Sequence, residues 1–141
     1  MSTEENKSLV QGFFTEVWQN DNVNAFDEFC SENLVNHTLQ PDMPGGIEGS
    51  KMFAGMFMSA FPKTNLTVEQ VVSEGDTVCV RWSATAAHEG ELMGIPATGK
   101  QITTHGMGFY RCENGKIAEI WGEFDMAGLM QQISPPQPAE N

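Results

Sequence analysis

Apolar positions follow a helical period up to about residue 61 and a period of two from residue 66 onward. Within residues 4–20, Leu9, Val10, Phe13, Phe14 and Val17 recur at helical spacing and Trp18 widens the stripe, which predicts an amphipathic helix. Thr3 is placed to cap it, with Glu4 and Glu5 favourable at its positive end. Asp21 or Asn22 restarts a short helix carrying Phe26 and Phe29, and residues 34–38 read as a brief strand. A Pro/Gly-rich loop spans residues 40–46. A third helix is expected over residues 49–61 through Met52, Phe53, Met56, Phe57 and Ala60, with Pro62 ending it. Four long strands then follow, over 66–73, 77–88, 101–112 and 116–124. Their connections are Glu74 to Asp76, a loop holding Gly94 to Gly99, and Glu113 to Lys116.

Helices followed by an antiparallel meander predict an α+β fold. A strongly twisted sheet rolled around the long helix makes a cone open at one end, and that opening is the natural ligand site. At 141 residues the chain predicts one domain, over residues 1–133, with a disordered Pro-rich tail at 134–141.

Nineteen acids against seven bases leave a net charge of −12 with no basic cluster, which argues against nucleic-acid and anionic-membrane partners. No apolar run reaches membrane-span length, and residues 1–7 carry no apolar core of a secretory signal. Cys30, Cys79 and Cys112 are odd in number and widely spaced, neither a disulfide framework nor a zinc pattern. A cytoplasmic protein with a neutral or hydrophobic small ligand is expected.

Trp121 to Asp125 closes the last strand and runs straight into a helical stretch, residues 126–133. A carboxylate at the lip of a strand, beside Trp121 and two residues past Glu123, can act as a base, because apolar walls raise its pKa. The same Asp125 stands where an N-cap belongs, and the two roles are compatible.

His105 follows Thr104 and precedes Gly106, a small-residue patch with room for a ligand. Its face depends on the turn at Asn114 and Gly115. A two-residue turn pairs His105 with Phe124 and puts Asp125 on the opposite face. A turn with a bulge at Gly115 pairs it with Glu123, so that His105, Trp121, Glu123 and Asp125 share a face. A shared site requires this second register or a bulge elsewhere, and the Gly115 bulge is the register adopted here.

His37 precedes the Pro/Gly loop and either donates to a substrate carbonyl or satisfies loop backbone. His88, at a strand end, reads as structural. A metal site from His37, His105 and Asp125 is imaginable, but no spacing demands it, and no metal is expected. Phe14, Trp18, Met56, Met107 and Trp121 are core residues that can also line the ligand, Met adapting to flat hydrophobic molecules. Glu123 joins them as a substrate contact. Trp82 alternates with Val78 and Val80 and reads as packing or an oligomer face.

In order and spacing, several strings resemble the SnoaL-like polyketide cyclase (ester cyclase) family of the NTF2-like superfamily, over roughly residues 7–133. They are Phe13-Phe14 with Glu16 to Trp18, Asn36-His37, Ala60 to Pro62, Glu74 to Asp76, Arg81-Trp82, His88 to Gly90, Gly94 to Gly99, Asn114 to Lys116 and Trp121 to Asp125. The resemblance implies a cone-shaped α+β barrel, homo-oligomers (dimer or tetramer), and no metal or organic cofactor. It also implies intramolecular aldol cyclisation of a polyketide ester, with Asp125 at the position of the proton-accepting Asp. A second function class is a non-catalytic module whose cone holds a ligand or whose sheet joins subunits. It would have Asp125 occupied by backbone donors and the cavity filled by Met and Phe. A third is an isomerase, hydroxylase or epoxide hydrolase on the same fold, the last lacking its Asp-Arg-Asp cluster here.

Overall fold

The computed structural model of the chain describes residues 2–134, so all of the expected tail except Ser134 lies outside the described residues. The first helix, α1 (Thr3–Phe13), is capped by Ser2 rather than Thr3. Ser2 Oγ accepts from the Glu5 N–H at 3.1 Å, while Glu5 Oε1 accepts from the Ser2 N–H at 3.3 Å. This reciprocal box satisfies donors that a helix end otherwise leaves open.

The expected 4–20 helix is not α-helical throughout. After Phe13 it widens into a π-helical segment, Phe14–Gln19, with the Asn20 N–H donating to the Thr15 carbonyl at 2.9 Å. Phe14 and Val17 stay buried within it. A 3-10 turn (Val23–Ala25) and the one-turn helix α2 (Phe26–Phe29) follow, then β1 (Cys30–Asn36), which starts earlier than expected. The other elements are α3 (Gly46–Ala60), β2 (Asn65–Glu74), β3 (Thr77–Ala87), β4 (Gln101–Glu113), β5 (Lys116–Phe124) and α4 (Met126–Ile133).

The strands form one curved, unclosed five-stranded sheet in the order β1-β5-β4-β3-β2. Strands β2 to β5 are an antiparallel meander, and β1 pairs in parallel with β5. The concave face carries Val78, Val80, Ala84 and Ala86 of β3 and Ile102, Tyr110 and Cys112 of β4, all buried. Against them lie Val10, Phe13, Phe14 and Val17, each at most 2% exposed. Phe13 sits at the hub of an aromatic cluster, with ring centroids 5.3 Å from Phe26 and 5.9 Å from Tyr110. Such edge and tilted contacts add to the burial of the rings. A second cluster, from Phe61, Ile102, Leu129 and Ile133, fixes α4 across the far end of the sheet.

The hairpin at Asn114 and Gly115 overturns the adopted register. Both residues have positive φ, 52° and 77°, and Glu113 pairs with Lys116 across a two-residue turn. The bulge lies further along β5, where Cys112 pairs with Ile117 but Arg111 with Glu119, leaving Ala118 extra. Beyond it the register runs to Gly106 opposite Phe124, and the Asp125 N–H donates to the His105 carbonyl at 3.1 Å. His105 and Asp125 are therefore directly opposite rather than diagonal.

Candidate functional site

Between the concave sheet, the π-helical segment and α3 lies a cavity of about 150 Å³. Its walls are mostly aromatic, with Phe14 and Trp18 from the N-terminal helix, Phe53, Phe57 and Phe61 from the α3 region, and Trp82, Tyr110 and Phe124 from the sheet. Phe53, Phe57 and Phe124 form a contiguous wall, Phe57 and Phe124 meeting edge-on at 5.5 Å. Trp82 packs against the core, as one of its two readings had it, and lines the cavity. Its ring lies over Gly106, where a Cβ would come within 2.5 Å of Trp82 Cζ2. The small-residue patch around His105 makes room for a tryptophan of the protein itself.

Few polar groups reach the cavity, and most are already engaged. Asn36 donates to Ser50 Oγ at 2.9 Å, Ser50 in turn to the Gly46 carbonyl at 2.7 Å, and Thr38 Oγ1 accepts from the Gly122 N–H at 3.0 Å. Thr64 donates to the Phe61 carbonyl at 3.0 Å. Burial raises the Tyr110 pKa, which keeps the phenol protonated. Two groups stand apart. Thr104 Oγ1 is buried without a partner among the described residues, and Asp21, at the rim, carries its carboxylate on a residue with φ of 53°. Asp21 as a whole is exposed, yet its carboxyl is partly desolvated, which raises its pKa from the ordinary 3.8.

The expected site residues divide between two faces of the sheet. Phe14 and Trp18 line the cavity. Met107 and Glu123 border it beside Gly122, but strand alternation turns their exposed side chains outward. Met56 packs into the second cluster beside α4 and does not line the cavity.

Asp125 does not line it either. It is exposed, and its Oδ1 accepts from the Gly128 N–H at 2.9 Å as the N-cap of α4. His105, Trp121, Glu123 and Asp125 do share a face, but it is the convex one. His37 lies there too, stacked on Trp121 with centroids 4.9 Å apart and planes 10° apart. Its Nε2 is 2.6 Å from Glu119 Oε2, and Arg111 Nε donates to Glu119 Oε1 at 3.0 Å. These two hydrogen bonds hold the Glu119 pKa below its ordinary 4.5.

His88 is fully buried, its Nδ1 accepting from the Thr98 N–H at 3.3 Å and 3.0 Å from Thr98 Oγ1, which ties the 88–100 loop to the sheet end. Among the described residues no three His, Cys, Asp or Glu side chains group as metal ligands, and no helix is long and apolar enough to cross a membrane.

Sequence reasoning missed Asp21, Thr104, Phe61 and Tyr110 as cavity residues. Thr104 and Tyr110 share strand parity with the buried Ile102 and Cys112, which was a usable signal. Asp21 had none, since a turn aspartate reads as a helix start.

The model of the SnoaL-like polyketide cyclase family matches residues 8–133. The chain belongs to the SnoaL-like polyketide cyclase family. No curated protein matches it. Among solved structures it is similar to a candidate SnoaL-like polyketide cyclase from Jannaschia sp. CCS1, with 26% identity, coverage of 96% of this chain and 95% of that one, and a TM-score of 0.84. A candidate polyketide cyclase from Acidithiobacillus ferrooxidans has 28% identity, coverage of 94% and 97%, and a TM-score of 0.79. AclR, a candidate hydroxylase from Streptomyces galilaeus, is equally similar, with 26% identity, coverage of 97% and 87%, and a TM-score of 0.84. The α+β fold with N-terminal helices under a curved sheet is thus the SnoaL fold, and cyclase and hydroxylase assignments both occur on it.

Proposed function

We propose that this SnoaL-like protein binds a hydrophobic, carbonyl-bearing small molecule in the aromatic cavity and acts on it by acid–base chemistry of its own side chains. The most concrete form is intramolecular aldol cyclisation of a polyketide ester. The observation that carries this reading is the cavity itself, about 150 Å³, walled by aromatic rings and offering few free polar groups. Apolar walls exclude water and strengthen a base and any donor to an enolate. In such a reaction the base takes a proton from a carbon between two carbonyls. The enolate carbon then bonds to a second carbonyl carbon, and the resulting alkoxide takes the proton back.

The non-catalytic binding module is the competing reading, and one observation favours it: Asp125 already accepts a backbone hydrogen bond as a cap. The experiment offers a polyketide methyl ester to the protein and follows ring closure by mass spectrometry and NMR. Ala84→Leu, which adds a side chain into the cavity from β3, is expected to weaken ester binding at least tenfold and to lower cyclisation with it. Tight binding with the ester recovered unchanged would establish the module instead.

The reading also includes a homodimer formed through the convex sheet face, and a cytoplasmic location. Thiols pushed by burial up to about 12 at Cys30 and about 11 at Cys112 suit a protein that keeps free cysteines.

A further inference from the structure

We propose that Asp21 is the catalytic carboxylate of the cavity, the group that takes the substrate's carbon-bound proton and returns it. This rests on the reading of the cavity as the site of acid–base chemistry and adds the residue that performs it.

Position comes first. Asp21 borders the cavity together with Trp18 and Thr64, whereas Asp125 and His105 face away from it. Among the described residues the only other acidic one bordering the cavity is Glu123, whose exposed side chain strand alternation turns outward. The second consideration is occupancy. Asp125 is engaged by the Gly128 N–H and Glu119 by His37 and Arg111, while Asp21 has no side-chain hydrogen bond among the described residues. A carboxylate held beside an apolar cavity without donors is poorly stabilised as an anion and is a stronger base for it, and its raised pKa agrees.

The third is backbone. Asp21 sits at φ of 53° between the π-helical segment and the Asn22 cap, where the Asn22 N–H donates back to the Val17 carbonyl at 3.1 Å. Residues held in sparsely populated conformations by their surroundings concentrate at functional sites. Here the left-handed turn is fixed by the π-helix ending before it and the 3-10 turn starting after it, which sets the side chain at the rim.

The step balances without a co-reactant. The Asp21 carboxylate accepts the proton from a carbon flanked by two carbonyls, giving an enolate and a carboxylic acid. The enolate carbon bonds to the receiving carbonyl carbon, and that oxygen takes the proton back, restoring the carboxylate.

Asp21→Asn isolates the role, because asparagine keeps the size and tolerates positive φ as well as aspartate does. The probe is methyl benzoylacetate, a hydrophobic β-keto ester, in D2O. Central-carbon deuterium exchange is read by NMR, affinity by calorimetry and stability by Tm. The expected result is protein-accelerated exchange that falls roughly 10²–10⁴-fold in Asp21→Asn. Affinity should stay within about threefold and Tm should rise, since an unpaired, partly desolvated charge is removed. A lower Tm would make Asp21 a structural group and overturn the proposal. So would exchange lost in Asp125→Asn but kept in Asp21→Asn, which leaves the acid–base reading standing. A wild-type protein that binds the ester without accelerating exchange, or does not bind it, overturns both.

Discussion

Asp125 stands where the last strand hands over to α4, and the structure gives its carboxylate to the helix. Oδ1 takes the Gly128 N–H, and a Cβ at Gly128 would push the Asp125 carboxylate out of its capping position. Cap and glycine are therefore a fitted pair. Asp125→Ala should cost about 0.5–2 kcal/mol in urea unfolding, whereas Asp125→Asn, still able to cap, should cost only a few tenths. Equal losses in both would mean that the charge, and not the cap, carries the stability. The same position shows why sequence could not decide between base and cap. Both need an oxygen at the end of a strand, and only the direction of the side chain separates them.

At the scale of elements, the meander was readable nearly to the residue. Expected strands over 66–73, 77–88, 101–112 and 116–124 stand against Asn65–Glu74, Thr77–Ala87, Gln101–Glu113 and Lys116–Phe124. Long runs of alternation between one buried and one exposed face leave little freedom in where such strands begin and end. The face that each side chain occupies was less legible. Along β4 the outward set includes Met107 and Phe109, so both parities are apolar and neither announces the core. In β5 the neighbours Ile117 and Ala118 are both buried, a break in alternation that marks the bulge in hindsight. The π-helical segment left no mark, because its residues keep a helical stripe. Packing between β3 and β4 can be tested at Gly106. An added Cβ would meet Trp82 Cζ2 at 2.5 Å and the Glu123 carbonyl oxygen at 2.7 Å, and a strand backbone cannot give way as a side-chain tip can. Gly106→Ala should cost about 1–3 kcal/mol and displace the Trp82 ring, changing tryptophan fluorescence. An unchanged spectrum and stability would mean that the ring and strand accommodate a methyl group freely.

For the molecule as a whole, the register draws one apolar row across the convex face. Val72 pairs with Cys79, Cys79 with Phe109 and Phe109 with Trp121, on which His37 stacks. Val72, Phe109 and Trp121 are 54%, 53% and 40% exposed, and Met107 and Val35 extend the patch on either side. Both arginines of this strongly acidic chain, Arg81 and Arg111, lie on the same face beside Glu119 and Glu123. A face with apolar centre and both charge signs at its edges can meet a copy of itself across a two-fold axis, which the proposed homodimer requires. Phe109→Glu, at the middle of the row, should convert a dimer to a monomer in sedimentation equilibrium while leaving the far-UV spectrum intact. Acid acts on the same face through Glu119. Its pKa is lowered in the folded state, so the contribution of its links to His37 and Arg111 is present above pH 4.5 and fades as pH falls through the lowered value. Glu119→Gln should flatten that part of the acid limb of stability. Dimers that persist in Phe109→Glu would move the interface elsewhere and leave the apolar row without a partner.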